Sequence, residues 1–329
     1  MTNEEKIEYY NNLRNKAEKI EFSEKMDAFH QKMTPFAVKL NKGVAQGAEK
    51  KYLDGVFERE VMGLENLPEG PALYIANHSN MSDVSCVYDA IQRPFYIMAD
   101  ADQKKEFATN LFNNLIGVIY VKRYYTDEEM KCVEVKVDPK ISPETAKLRM
   151  INALLNNRNC VMFFEGTWCM SPNELVLPTK FGNIDIAIAG KVPIVPIAVE
   201  YLYKDKVNKS NKVIISIQPP LYFNELADKA QANEDVRSSI ATERYLIQEK
   251  YSKRISGTYT QEDFDETLIK CMMAYPSLSY KEEAKVVRNR DKYGDYYQRQ
   301  EEYAHLEELR QEALRRKKQM RLSRLRNRK

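Results

Sequence analysis

The sequence predicts an α/β fold: a mixed open sheet flanked by helices, preceded by a helical N-terminal segment and followed by charged C-terminal helices. Three observations carry this prediction. From about residue 55 to 220, short apolar runs alternate with helical stretches, the pattern of strands joined by packed helices. Before that block, Phe22, Met26, Phe29, Met33, Phe36 and Leu40 recur at spacings of three and four, which is one stripe of a helix. Beyond it the apolar runs stop, and residues 281–329 carry many opposite charges four apart as far as about Arg310, as an exposed helix does.

Taken in order, residues 4–45 read as helix. Tyr10, Leu13, Ala17 and Ile20 form a shorter stripe ahead of the one above, and Pro35 interrupts the second helix at a place where it could bend. The longer stripe either packs on its own domain or lies in a bilayer interface. Strands are expected at 57–63, 72–76, 94–98, 117–122, 160–164, 193–199 and 212–217, and helices at 83–92, 103–115, 143–157 and 180–190. Ser142, Pro143 and Glu144 supply a cap, a first-turn proline and an acid to the third of those helices. Residues 124–141 are charged and read as a surface excursion, while helices at 234–254 and 262–274 would close over the sheet. The chain thus divides into an N-terminal helical segment (1–54), an α/β core (55–220), helices packing on that core (221–280) and a charged helix with a basic tail (281–329).

With 329 residues, 43% hydrophobic and 30% charged, the composition suits a soluble globular protein. No apolar run approaches the roughly eighteen residues that a membrane-spanning helix needs, and the first residues lack the basic-then-apolar layout of a signal peptide. The five cysteines, Cys86, Cys132, Cys160, Cys169 and Cys271, are odd in number and form no C-x-x-C pair, so reduced thiols in a cytoplasmic protein are expected. A net charge of +3 hides an asymmetry: residues 315–329 hold nine Lys or Arg and no acid, which leaves −6 on residues 1–314. Such a tail suits an anionic membrane surface. RNA binding would call for aromatic platforms among the basic residues, and no Phe, Tyr or Trp follows Tyr303, so nucleic acid is not the expected partner.

The residues able to do chemistry gather at strand ends. The run 72–76 predicts a buried strand that delivers His78 at its end, and Asp83 follows five positions later. A turn between them would let the carboxylate fix the imidazole tautomer, leaving the other ring nitrogen to accept a proton from a hydroxyl. The alternative is an aspartate capping the helix from Val84 to Ile91 beside a structural histidine. At a second strand end stand Glu165, Gly166 and Thr167. Gly166 permits close approach and could offer its backbone N–H to an oxyanion, or it could simply serve a turn. At a third, Lys122 and Arg123 close the run from Gly117 to Val121; Arg123 would face the cleft and Lys122 the opposite face. A guanidinium there matches phosphate oxygens, and the alternative is a solvated basic strand end. Cys86 falls on the apolar side of a helix, where packing is the expected role. The chain has no G-x-S-x-G nucleophile elbow.

Four blocks, in this order, resemble the PlsC-type glycerolipid acyltransferases, the 1-acylglycerol-3-phosphate acyltransferase family. They are residues 63–71 leading into Asn77-His78-x4-Asp83, then Gly117 to Arg123, then Phe163-Phe164-Glu165-Gly166-Thr167-Trp168, then Val192 to Ile197. The resemblance covers roughly residues 55–220. It implies transfer of a fatty acyl group from acyl-CoA or acyl carrier protein to a lysophospholipid hydroxyl, with lysophosphatidate the leading acceptor, and no metal or other cofactor. It implies that His78 is the base and Asp83 its orienting acid. It assigns acceptor binding to Glu165, Gly166 and Thr167, phosphate binding to Arg123, and a secondary cation to Lys180. It further implies a cytoplasmic enzyme peripheral to the inner face of the membrane, and marks 124–141 as an insertion. Two positions depart from the pattern: Phe164 stands where proline is usual and Trp168 where arginine is usual. The departures keep other acceptors open, among them glycerol 3-phosphate, another lysophospholipid or an amino-acid lipid. A nonenzymatic nucleic-acid-binding protein using its basic tail is the alternative of a different class.

Overall fold

The computed structural model describes residues 1–101, 112–113, 115–122, 138–170, 175–179, 182–204, 210–251, 260–275, 283–284, 286–288 and 294–326. Two helices, α1 (Asn3–Glu18) and α2 (Glu24–Tyr52), lead into β1 (Glu58–Met62), β2 (Leu73–Ala76), α3 (Asp83–Ile91), β3 (Phe95–Asp100) and β4 (Gly117–Val121). There follow α4 (Pro143–Leu155), β5 (Asn159–Phe163), α5 (Gly182–Gly190), β6 (Ile194–Leu202) and β7 (Lys212–Ile217). Helices α6 (Lys229–Tyr251), α7 (Gln261–Ala274) and α8 (Gln300–Arg326) complete the long elements. The strands fall where the apolar runs place them, except that β6 continues to Leu202. Most of the helix expected at 103–115 and of the excursion at 124–141 lies outside the described residues.

Among the described residues, seven strands form one mixed sheet in the order β1-β7-β6-β2-β5-β3-β4, parallel throughout except between β6 and β7. Alternation along β2 sorts its side chains between two cores. Leu73 and Ile75 pack with Leu13 of α1, Leu154 of α4 and Ile188 of α5. Tyr74 and Ala76 pack with Val87 of α3, Met272 of α7 and Leu306 of α8. Helices therefore cover both faces, as a mostly parallel sheet requires. At the β4 edge, a Cβ on Gly117 would lie 2.4 Å from the Tyr96 ring, so the two strands pair there only because this residue has no side chain.

Buried carboxylates dock the N-terminal helices. Asp185 of α5, itself held by Lys147 of α4 (3.2 Å) and Lys229 of α6 (2.5 Å), receives the Tyr9 hydroxyl of α1 at 3.0 Å. On α2, Asp27 is buried against Arg158 (2.8 Å) and the Tyr96 hydroxyl (3.0 Å). That anchor decides which way α2 faces. Asp27, Thr34, Ala37 and Val38 turn inward, while Met26, Phe29, Phe36, Leu40 and Val44 are 43–68% exposed. Most of the apolar stripe is therefore left uncovered, while Phe22 and Met33 are half-buried. The helix also runs unbroken through Pro35; the chain instead breaks at residues 19–23, where Ser23 caps α2. No helix of the described residues is long and apolar enough to cross a membrane.

Helix α8 is not the fully exposed helix that its charge predicts. Tyr303, Leu306, Leu309 and Ala313 are buried, and Arg316 on the same helix pairs with Glu266 of α7 at 2.7 Å. Lys317 donates to the Met273 carbonyl at 2.8 Å and sits 5.2 Å from the Tyr52 ring centroid. Past Met320 the helix is exposed.

Candidate active site

Register brings the site together. Strands β2 and β5 are parallel neighbours with Ala76 opposite Phe163, so His78 and Glu165, each two residues further on, emerge side by side. Asn77 ends β2 by substituting its amide for a strand rung: it donates to the Val199 carbonyl at 2.9 Å and accepts from the Val199 N–H at 2.8 Å. The backbone then turns, and His78 is held on both sides. Its N–H donates to Glu165 Oε2 at 2.6 Å, and its carbonyl accepts from the Cys169 N–H at 2.6 Å.

His78 Nδ1 meets Asp83 Oδ2 at 2.7 Å, as the five-residue spacing allows. The same oxygen accepts the N–H groups of Ser79 (2.7 Å) and Asn80 (2.8 Å), and Oδ1 accepts the Tyr201 hydroxyl at 2.6 Å. Asp83 is thus not the cap of α3. It is the first helical residue, preceded by Ser82, and its carboxylate turns back onto the loop before it. With Nδ1 donating to Asp83, Nε2 is the ring nitrogen left to accept a proton. The imidazole stacks on Phe163 (centroids 4.3 Å apart, 18° between planes) and lies 5.5 Å from the Trp168 ring, with 18% of its side chain exposed.

Glu165 faces inward rather than toward an acceptor. Its completely buried carboxyl takes the N–H groups of His78 and Leu177, and burial pushes its pKa up to about 7. Gly166 is needed for its backbone, at φ +75°, where other residues are strained. Its N–H closes the turn onto the Phe163 carbonyl at 3.0 Å, so the oxyanion role expected of it does not fit this geometry. Other polar atoms are better suited. Thr167 Oγ1, Trp168 Nε1 and Ser79 Oγ are buried without a hydrogen-bond partner, all on the two loops that meet at His78. Such groups cost about 1–3 kcal/mol each when left unmet, so a site that supplies them with an acceptor gains by it. Arg123 and Lys180 lie outside the described residues. Lys122 donates its backbone N–H to Ile141 at 2.8 Å. Cys86 is buried in α3, where burial pushes the thiol up to about 12, far from a nucleophile.

Residues 58–200, from the first strand of the sheet into β6, match the Acyltransferase family model. Over this segment the chain is similar to the acyltransferases. A curated relative, the 1-acyl-sn-glycerol-3-phosphate acyltransferase of Saccharomyces cerevisiae, is 27% identical over 140 residues, 43% of this chain and 42% of the relative. The chain therefore spans less than half the length of that relative. Among solved structures, the 1-acyl-sn-glycerophosphate (LPA) acyltransferase PlsC from Thermotoga maritima aligns with a TM-score of 0.45 at 19% identity, covering 64% of this chain and 79% of that one.

Several residues around this site are not singled out by the sequence motifs. Tyr201 reaches Asp83 from the end of β6, beyond where the apolar run predicts the strand to stop. Arg244 of α6 pairs with Glu200 at 2.7 Å and donates to the Leu175 carbonyl. Glu283 accepts the Met170 N–H at 2.6 Å. All three lie outside the matched segment, Tyr201 by one residue.

Proposed function

We propose that the protein transfers a fatty acyl group from acyl-CoA or acyl carrier protein to the free hydroxyl of a lysophospholipid, with lysophosphatidate as the leading acceptor and phosphatidate as product. The observation that carries this reading is the His78–Asp83 pair at 2.7 Å at the end of β2, in a chain whose residues 58–200 match the Acyltransferase family model. The acceptor hydroxyl oxygen attacks the thioester carbonyl while its proton passes to His78 Nε2. A C–O bond forms, the tetrahedral oxygen carries the charge, and Thr167 Oγ1, Trp168 Nε1 or Ser79 Oγ are the donors available to it. Collapse breaks the C–S bond, and the leaving thiolate takes the proton back from the imidazolium. No acyl-enzyme is needed because the thioester is already activated. Arg123, with Lys180 as a second cation, is assigned the acceptor phosphate on the family resemblance. The outward apolar stripe of α2 and the basic end of α8 suit an enzyme lying on an anionic inner membrane face, where both substrates are at hand.

The test is to incubate purified protein with labelled acyl-CoA or acyl carrier protein and a panel of acceptors: lysophosphatidate, glycerol 3-phosphate and uncharged lysolipids. Transfer to lysophosphatidate that disappears in His78→Ala is expected. A folded His78→Ala variant with wild-type turnover would overturn the mechanism, and a preference for uncharged acceptors would overturn the assigned substrate.

A further inference from the structure

The loop after β5 is pinned by three buried groups, two of them from outside the matched acyltransferase segment. Glu165 accepts the Leu177 N–H at 2.9 Å, and Arg244 of α6 donates to the Leu175 carbonyl. Glu283, from the helical region between α7 and α8, accepts the Met170 N–H at 2.6 Å. Glu283 is completely buried, and its Oε1 has no hydrogen-bond partner. A carboxyl in such a place is costly to bury, and an apolar residue would pack there more cheaply unless the hydrogen bond matters. Burial pushes its pKa up to about 8, with Glu302 and Glu165 raising it further and Arg299 opposing. At neutral pH it is therefore mostly a neutral acceptor.

The N–H that Glu283 holds belongs to the residue after Cys169, and the Cys169 N–H in turn holds the His78 carbonyl. Trp168, one residue further back, packs against the His78 ring. We propose, on the reading of His78 as the base, that Glu283 is a positioning residue: it fixes the loop carrying Trp168 against His78, so that the C-terminal helical region completes the acyl-transfer site. Small displacements of such a loop are felt strongly, since about 1 Å of misplacement can cost roughly a hundredfold in rate.

Trp168 is the single tryptophan of the chain, so the position of this loop can be followed by its fluorescence without any substrate. In the full chain, Glu283→Leu removes the acceptor, Glu283→Asp withdraws it by one methylene, and Glu283→Gln keeps a neutral acceptor in place. Glu283→Leu is expected to lower kcat about ten- to hundredfold with KM for the acyl donor unchanged, and to raise acrylamide quenching of Trp168. Glu283→Asp should show the same changes in smaller measure, and Glu283→Gln should recover most of both. A folded Leu variant with wild-type kcat or wild-type quenching overturns the proposal. Should the Leu variant fail to fold, the Asp variant decides on the same two readouts. If the wild type transfers no acyl group to any acceptor, the acyl-transfer reading fails, and the quenching series still decides whether Glu283 holds the loop.

Discussion

One carboxylate oxygen, Asp83 Oδ2, gathers His78 Nδ1 and two backbone N–H groups, while Oδ1 takes the Tyr201 hydroxyl. Asp83→Asn replaces an acceptor with a donor in that nest and frees the imidazole to flip its tautomer. Turnover is expected to fall by about 10²–10⁴, with the fold intact by circular dichroism. Arg123→Ala is expected to lower kcat/KM roughly ten- to hundredfold for phosphate-bearing acceptors, by loss of one charge-assisted bond, and to spare uncharged ones; an equal loss for both would make Arg123 structural. Glu165 gives a pH prediction. Burial holds its carboxyl at about 7, so the folded protein keeps a proton that the unfolded chain has lost. The stability this contributes is fully present below the ordinary glutamate range and disappears as pH rises through about 7. Denaturant midpoints of the wild type should therefore fall between pH 5 and 8, and Glu165→Gln should flatten part of that slope. The residues legible in the sequence were those whose partners are near along the chain, as with His78 and Asp83, five apart. Tyr201 and Glu283 meet their partners 118 and 113 residues away, and no local pattern announces either.

At the scale of elements, periodicity located the strands and most helices, because alternating burial leaves its mark on each strand. It located α2 as well but could not say which way the stripe faced. The decision lies with Asp27, whose pairing with Arg158 and Tyr96 turns the large apolar side chains outward. A helix rotated the other way would have to bury its stripe and break that pair. Replacing Phe29 and Phe36 together with serine should therefore leave the thermal midpoint nearly unchanged while weakening co-sedimentation with vesicles. A large loss of thermal stability would mean that the stripe is covered within the protein. Charge patterning misread α8 for a related reason: its acids and bases are evident in sequence, and the narrow row of Tyr303, Leu306, Leu309 and Ala313 that docks it is diluted among them.

Across the whole molecule, the acidic body and the basic end of α8 separate charge along the chain. Deleting residues 321–329, past the docked part of α8, should weaken binding to anionic vesicles, most at low salt, since each cation contributes ~1 kcal/mol near the surface and is screened within a Debye length. Activity on detergent-dispersed substrate should persist. Equal co-sedimentation of intact and truncated protein at low salt would give the tail another role. The strand order has a consequence of its own. Edge strand β1 pairs with β7 alone, Glu58 lying opposite Lys212, so the first strand of the sheet made on the ribosome waits for the last. Until residues 212–217 emerge, β6 has an open antiparallel edge and β1 has no partner. Pairings this distant form slowly, and unpaired edges invite association between chains. Nascent chains arrested before Lys212 should be protease-sensitive through β1 and bind chaperones, and those released past Ile217 should become resistant in a single step.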